Sequence, residues 1–500
     1  MKRIVSVLLT VLMLLSIAPM ALAADASDPV TLTVFIDHSW YPVEKFTGFI
    51  PEEITRLTGV VLDPTIALDD KQLGVILGSG DLPDLIYTSL LIDQISNPEL
   101  AYSYEELIEK YDTGWIIPPK QLGIARGYAE DNLAYTVLMH YSEKESWEGS
   151  QSVPMVGTLI YRKDMWEKLG SPSMTTFDEL FDVFTKAKEE FPELTNVLKL
   201  NENWNTIVFR DFIGLGQLEF IEQPDGKHIH YSQDAKYKEM LAWLSKCWRA
   251  GFLSPDESYF VKGSTVGPAG TWFANSSCTQ NGIPGAITDH QKIDPSFVVA
   301  EMVPFPDANY AMSDVGWSGV FISKDCADPE AAIRFMEWMF TPEGQALTQM
   351  GRPGIDYTLS ESGFPVFSAE WKQAIEDKTH NDVYNPWFYF GGSEIVEADS
   401  RVATLDPALV ADAYAVMREK FDNLPWISAA LPKGFSDEKV ILDKIQEMVK
   451  VYEPKLIMAN TDEEFEALYA EFITNAERTG ATTLNEYMDS RIAELKPLYE

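Results

Sequence analysis

The stretch that decides the fold is Gly78-Ser79-Gly80-Asp81-Leu82-Pro83-Asp84-Leu85-Ile86-Tyr87. Residues 72–77, just before it, are amphipathic and predict a helix, which the two glycines end. Pro83 then fixes a turn, and residues 85–87 are apolar enough to form a short buried strand. A helix that is followed at once by a strand is typical of alternating α/β folds.

The sequence on both sides continues this alternation. Residues 30–36 alternate in polarity and are rich in β-formers, so they predict a first strand. Residues 51–58 predict a helix, and residues 60–62 predict a second strand. Another helix is predicted over residues 104–111. This βαβα order implies a parallel, doubly wound sheet.

Two later stretches carry equally clear local signals. Residues 159–170 read Leu-Ile-Tyr-Arg-Lys-Asp-Met-Trp-Glu-Lys-Leu-Gly and predict a strand that enters a short helix. Thr176 and Glu179 predict a capping box for the helix that follows. Further on, residues 321–324 predict a strand. Two helices are then expected, each with proline at its first position, one beginning at Asp328-Pro329-Glu330 and one at Thr341-Pro342-Glu343-Gly344.

Together these stretches resemble the bacterial extracellular solute-binding proteins of the sugar-binding type, family 1, which serve ABC importers. The resemblance covers residues 30–360, and residues 351–358 fit a subgroup with long chains. It implies an α/β, two-lobe periplasmic-binding-protein fold (type II), with doubly wound sheets joined by a hinge. The C-terminal part resembles the family only loosely and predicts helices near residues 436–453, 462–475 and 483–498.

The N-terminus predicts export. Residues 1–23 begin with Met1-Lys2-Arg3, continue with an apolar run and end on Ala21-Leu22-Ala23, which is typical of a signal peptide cleaved before Ala24. An uncleaved membrane anchor is the alternative. No cysteine stands near the end of this segment, so lipid attachment is not indicated. We therefore expect the protein in the periplasm or at the outer face of the cell membrane.

The resemblance also implies how the mature chain is divided. Chain crossings between the lobes are expected near 154–158, 314–320 and 390–405. We expect an N-terminal lobe formed by residues 24–155 with about 320–395, and a C-terminal lobe formed by residues 156–315 with about 396–500.

Composition limits the partners. The formal net charge of −38 at pH 7 argues against nucleic acid and anionic membranes as partners. A chain of 500 residues with 46% hydrophobic residues should form at least two bodies. The three cysteines, Cys247, Cys278 and Cys326, allow one disulfide but no disulfide framework, and Cys247 is expected to be a buried thiol. We expect a monomer.

The candidate binding residues follow from carbohydrate chemistry. Aromatic side chains stack on the C–H faces of sugars, and planar polar groups bind the hydroxyls. The chain has 13 Trp and 21 Tyr. In a doubly wound lobe, ligands lie beyond the carboxyl ends of the strands. This rule selects Asp37, Ser39 and Trp40 after the first strand, and Thr88 and Ser89 after residues 85–87.

Further candidates stand in predicted loops. Trp272 follows Gly270 in a glycine-rich segment, which suits close approach to a ligand. Arg210 and Arg352 are the basic candidates, and either one would favour an acidic sugar if it lay in the cleft, although pairing with structural carboxylates is the alternative. The remaining loop candidates are Trp147, Trp204, Asp314, Trp317, Trp387 and Tyr389.

Metal and catalytic motifs are weak. Residues 201–205 imitate the start of a calcium loop, but Phe212 stands where a bidentate Glu is needed. We expect no metal, no cofactor and no catalytic residue. The leading hypothesis is a protein that closes on an oligosaccharide and delivers it to the transmembrane permease subunits of an ABC transporter. A secreted glycosidase or lyase, and a peptide-binding protein of the same architecture, remain the alternatives.

Overall fold

The computed structural model describes residues 29–499, apart from residues 42, 70, 148–149, 202–203, 255–270, 281, 284–285, 287–295, 314–315, 362, 387–391 and 435. The predicted signal peptide lies outside the described residues. Among the described helices, none combines the length and the hydropathy that crossing a bilayer requires.

Strands and helices alternate through the first half of the chain, and helices dominate its end. In chain order, the described strands are β1 Val30–Ile36, β2 Val60–Ile66, β3 Leu85–Thr88, β4 Leu138–Met139, β5 Gly157–Arg162, β6 Asn196–Lys199, β7 Phe220–Glu222, β8 His228–His230, β9 Trp272–Cys278, β10 Val299–Glu301, β11 Tyr310–Met312, β12 Ser318–Ile322, β13 Tyr357–Leu359, β14 Pro365–Phe367 and β15 Phe421–Asn423.

The described helices are α1 Phe49–Thr58, α2 Gln72–Ser79, α3 Ile92–Ile95, α4 Tyr104–Tyr111, α5 Pro119–Arg126, α6 Lys163–Lys168, α7 Phe177–Glu190, α8 Ile207–Phe212, α9 Ala235–Arg249, α10 Pro329–Met339, α11 Pro342–Met350, α12 Ala369–Glu376, α13 His380–Val383, α14 Glu394–Val402, α15 Ala411–Lys420, α16 Pro425–Ala430, α17 Asp437–Ile457, α18 Asp462–Thr479 and α19 Ala481–Leu495.

The larger sheet has the strand order β2-β1-β3-β12-β4. Its β2, β1 and β3 run parallel, as the sequence predicts, whereas β12 is antiparallel to both β3 and β4. The smaller sheet has the order β10-β5-β9-β6, in which β5 is antiparallel to both neighbours and β6 is parallel to β9. In the larger sheet the parallel order holds for β2, β1 and β3, which are joined by consecutive βα units, because parallel strands need a crossover connection.

Each main sheet has its own core. In the larger sheet, Leu32 and Ile36 pack with α1 on one face, while Phe35 and Ile86 pack in a separate cluster with Phe321. This agrees with a doubly wound sheet, which is apolar on both faces. The core of the smaller sheet joins residues of β5, α7 and α9 to residues of α17 and α18. The C-terminal helices therefore help to cover the smaller sheet.

Asp84 explains why the stretch at residues 78–87 organises the larger sheet. Gly80 adopts the left-handed conformation (φ 71°) that ends α2. The Asp84 carboxylate then accepts hydrogen bonds from Thr33 N (2.8 Å), from the Thr33 hydroxyl (2.6 Å) and from Ala327 N (2.6 Å). One side chain thus links β1, the start of β3 and the loop that precedes α10.

The helix caps were predicted well. Asp328 accepts a hydrogen bond from Ala331 N at 3.0 Å and so begins α10. Thr176 likewise accepts from Glu179 N at 3.2 Å at the start of α7. In a capping box, the Glu179 carboxylate would accept a hydrogen bond from the backbone N–H of Thr176. Here it accepts from Thr175 N instead, at 2.8 Å. All three cysteines are buried free thiols.

Candidate functional site

The carboxyl ends of β1 and β3 meet at one edge of the larger sheet, since Ile36 pairs with Tyr87 in the parallel register. The Thr88 hydroxyl donates a hydrogen bond to Asp37 Oδ2 at 2.9 Å, and Asp37 N donates to the Tyr87 carbonyl at 2.9 Å. Asp37 and Thr88 are both buried. These bonds fix the chain as it leaves β1 and determine the direction of the following turn.

That turn carries the first aromatic ring of the site. Tyr41 N donates to the His38 carbonyl at 2.9 Å, which closes the turn and brings Trp40 over His38. The two rings are stacked, with centroids 5.0 Å apart and an interplanar angle of 20°. Tyr87 meets the His38 ring edge-on at 5.0 Å. Trp40 is 51% exposed, which is a large exposed fraction for a tryptophan and leaves an apolar surface open to solvent.

Trp317 completes the group from a distant part of the chain. Its ring centroid lies 4.9 Å from that of His38 and 5.9 Å from that of Trp40. We call Trp40, His38 and Trp317 the aromatic platform. Glycine precedes Trp317 for a steric reason, since a Cβ on Gly316 would lie 2.8 Å from the Met139 carbonyl oxygen. Close approach to β4 thus fixes where Trp317 stands.

His38 is the member of the platform that sequence reasoning missed. Its side chain is 4% exposed, and its Nε2 has no hydrogen-bond partner among the described residues. Burial lowers its pKa to about 4, so the imidazole is neutral at pH 7. Its position in the sequence could have identified it, because His38 lies between Asp37 and Ser39. Those two residues were selected by the rule that ligands lie beyond the carboxyl ends of the strands.

The other predicted strand-end residues lie beside the platform in sequence. Ser39 is exposed within the turn, and Ser89 is half-buried directly after β3. The structure therefore places Asp37, Ser39, Trp40, Thr88 and Ser89 at the carboxyl ends of two neighbouring strands. Their contact with a ligand stays a prediction.

Three further tryptophans lie elsewhere. Trp147 and Trp272 are buried in one hydrophobic cluster, in which Trp272 meets the edge of Phe297 at 5.9 Å. Trp272 also belongs to β9, and the prediction of a loop there was wrong because its side chain and those around it are buried in the sheet. Trp204 is half-buried and packs against the core of the smaller sheet. Ligand roles for these three remain predictions.

Both arginine candidates are engaged within the protein. Arg210 donates to the Leu218 carbonyl at 2.6 Å and lies 3.5 Å from the Tyr231 ring centroid. Arg352 pairs with Asp356 at 2.9 Å, and its guanidinium stands 3.4 Å from the centroid of a phenylalanine ring on α1. The Arg352–Asp356 pair matches the alternative of pairing with a structural carboxylate, whereas Arg210 is held by a backbone carbonyl and an aromatic ring. Neither side chain therefore provides an argument for an acidic sugar at the platform.

Three predicted residues, Asp314, Trp387 and Tyr389, lie outside the described residues. So do residues 202–203 of the stretch that imitates a calcium loop. Within the described part of the chain, no group of three or more His, Cys, Asp or Glu side chains is placed to hold a metal ion.

A buried ionic cluster joins α14 to the segments that lead out of the larger sheet. His140 directly follows β4, and its Nε2 lies 3.0 Å from Glu397. Burial alone lowers the pKa of His140, but the Glu397 and Glu394 carboxylates outweigh it and raise the pKa above its usual value. Glu394 accepts hydrogen bonds from the Ser142 hydroxyl (2.5 Å) and from Met155 N (2.6 Å). The chain between β4 and β5 is thereby anchored to α14.

The chain belongs to the bacterial extracellular solute-binding proteins. The family model of that description matches residues 108–376, which is more than half of the chain. The search of curated proteins found no match to this chain.

Solved structures share the fold across almost the whole chain. An alginate-binding protein without calcium ion has 16% sequence identity and a TM-score of 0.66, with coverage of 93% of this chain and 98% of that chain. An extracellular solute-binding protein from Bifidobacterium longum subsp. infantis has 13% identity and a TM-score of 0.65, with coverage of 93% and 98%. An N-glycan transport solute-binding protein from Streptococcus pneumoniae has 14% identity and a TM-score of 0.62, with coverage of 95% and 100%. The predicted two-lobe α/β fold is confirmed.

Proposed function

We propose that this protein captures an oligosaccharide against the aromatic platform, in a cleft between its two lobes, and presents the loaded form to the permease subunits of an ABC importer. The observation that carries the proposal is the platform itself. Three aromatic rings from two distant segments converge at the carboxyl ends of β1 and β3, with Trp40 half exposed.

The chemistry of the platform suits a sugar. The C–H faces of a pyranose are apolar and stack on indole rings, which Trp40 and Trp317 offer side by side. Hydroxyl-bearing side chains follow both strands, at Ser39 and Ser89. Relatives of the same fold are described as binding alginate or kestose, or as transporting N-glycans. An oligosaccharide is therefore the solute class that we propose here.

Closure of two lobes would give the transporter a signal that the site is loaded, because a ligand that contacts both lobes stabilises the closed form. The topology supports the division that the sequence suggests, since the chain passes from the larger to the smaller sheet between β4 and β5 and returns between β10 and β12. We propose as lobes residues 24–155 with about 320–395, and residues 156–315 with about 396–500.

The proposal assigns binding and no catalysis. The family and the solved neighbours are binding proteins. Export follows from the family, and we propose that residues 1–23 direct it and that the mature protein acts as a monomer outside the cytoplasm.

The experiment uses residues 24–500 and a panel of neutral and acidic oligosaccharides. Melting temperature is measured with each sugar, and each mixture is then analysed for cleavage products. A ligand at about 100 times its dissociation constant should add about 2.7 kcal/mol to the free energy of unfolding. A shift with one sugar class and no product supports the proposal. A shift with product would favour a glycosidase or lyase. A set of short peptides is measured in the same way, and a shift with these peptides alone would favour a peptide-binding protein.

A further inference from the structure

A cavity whose described lining shares no residue with the platform has the size of a ligand site. Its volume is about 430 Å³, which falls within the range of small-molecule pockets. Helices α11 to α14 supply most of its described lining. The other described lining residues are Phe367 of β14, Lys378 and Thr404 in the connections after α12 and α14, and Gln280 just after β9 of the smaller sheet.

The charge of this cavity is opposite to that of the protein. Its described lining contains two cationic side chains, Lys378 and Arg401, and no Asp or Glu. The whole chain carries 77 acidic against 39 basic residues, so a cationic concave surface is unusual here. Glu397 pairs with Arg401 but also lies 3.0 Å from His140, so this carboxylate is shared between two basic groups. Such a lining favours an anionic ligand.

Two polar atoms of the lining need a partner. Gln280 is fully buried, and its Nε2 donates to the Val153 carbonyl at 2.7 Å, but its Oε1 has no hydrogen-bond partner among the described residues. Nε2 of His380 is likewise buried without a partner in the described part of the chain. Burial lowers the pKa of His380 to about 4, so this ring is a neutral hydrogen-bonding group at pH 7. Buried polar atoms of this kind are costly unless something binds them.

An apolar wall completes the cavity. Trp371 stacks on Phe367 with ring centroids 4.9 Å apart and also lines the cavity. Aromatic carbon, unpartnered polar atoms and two cations together match a molecule that has C–H faces, hydroxyls and a carboxylate. We propose that this cavity is a second ligand site, which binds a small hydroxylated carboxylate of the uronic acid type.

The test uses residues 24–500 and isothermal titration with D-glucuronate, with D-glucose as the neutral probe of nearly the same shape. We expect saturable binding of glucuronate, and binding of glucose that is at least about tenfold weaker, because only the acid engages Lys378 and Arg401. Lys378→Gln should weaken glucuronate about fivefold. The matched control is Lys372→Gln, an exposed lysine on α12 outside the described lining, which should change nothing.

Two more variants locate the site. Thr404→Trp places an indole at an exposed position that lines the cavity and should abolish glucuronate binding. Trp40→Ala alters only the platform and should leave glucuronate binding unchanged. The melting temperature of each variant, including Trp40→Ala, shows whether it folds. If Thr404→Trp does not fold, the comparison of Lys378→Gln with Lys372→Gln still tests whether glucuronate binds in this cavity.

The proposal is overturned if glucuronate does not bind, if glucose binds equally well, or if Lys378→Gln and Lys372→Gln behave alike. Loss of glucuronate binding in Trp40→Ala would also overturn it, because the acid would then occupy the platform. Failure of the oligosaccharide proposal gives a different result, in which no oligosaccharide binding depends on Trp40 while glucuronate still depends on Lys378.

Discussion

Replacement of Trp40 by alanine removes the exposed ring of the platform, and the loss of affinity can be worked out from its exposure. A tryptophan side chain offers about 250 Å² of surface, so the 51% that is exposed at Trp40 leaves about 125 Å² for a ligand. A stacked sugar ring would cover about 100 Å² of it, which at about 25 cal/mol per Å² is about 2.5 kcal/mol. Trp40→Ala should therefore weaken oligosaccharide binding about 60-fold.

Isothermal titration measures this loss with the best oligosaccharide from the panel. Trp40→Phe keeps an aromatic face and should retain most of the affinity. The matched control is Trp426→Ala, because Trp426 is half-buried on α16 and packs with the C-terminal helices rather than with the platform. Equal affinity in wild type and Trp40→Ala, or an equal loss in Trp426→Ala, would refute the reasoning that the platform binds the sugar.

Three further predictions concern stability, measured by urea unfolding. Asp84→Ala should lower the free energy of unfolding by about 3 kcal/mol, because charged hydrogen bonds are lost, whereas the exposed Asp81→Ala should stay within about 0.5 kcal/mol; equal effects would contradict the role of Asp84. Gly344→Ala should lower the free energy of unfolding by at least about 2 kcal/mol, because the new Cβ would overlap a backbone carbonyl. Gly78→Ala should raise it by about 0.5 kcal/mol, because Gly78 lies in a helix and has open space beside it. The reverse order of the two effects would contradict this packing. Above pH 6.5, the ordinary pKa of histidine, His38 is neutral in the folded and in the unfolded chain. Between pH 6.5 and about pH 4, the His38 imidazole takes up a proton in the unfolded chain only. Stability should thus fall by up to about 3 kcal/mol as pH falls, and His38→Phe should lose this part of the slope; an unchanged slope would show that His38 is not responsible.

Local signals were sufficient for much of the fold. Gly80 ends α2 and Asp328 caps α10 where the sequence predicts, because each acts through backbone groups within a few residues. The strand-end rule likewise selected Asp37 and Thr88, which share a hydrogen bond. These inferences need only the order of the elements along the chain.

The remainder depends on contacts between distant segments. The ring contact between His38 and Trp317 joins two segments that are far apart in the sequence, and no spacing within either segment predicts it. Trp272 was predicted in a loop from its glycine-rich neighbours, but it pairs with Asn196 of β6 and so begins β9, and its ring is buried against Phe297. The sequence likewise offers Arg210 as a binding candidate, but its guanidinium lies over the ring of Tyr231, a contact that the sequence does not predict.

The most direct test of the account is the crystal structure of residues 24–500 with the oligosaccharide that binds tightest. We predict a sugar ring stacked on Trp40 or Trp317, with ring carbons about 4 Å from the indole, and with residues of both lobes in contact with the sugar. A sugar bound elsewhere, with the platform still open to solvent, would contradict the central claim.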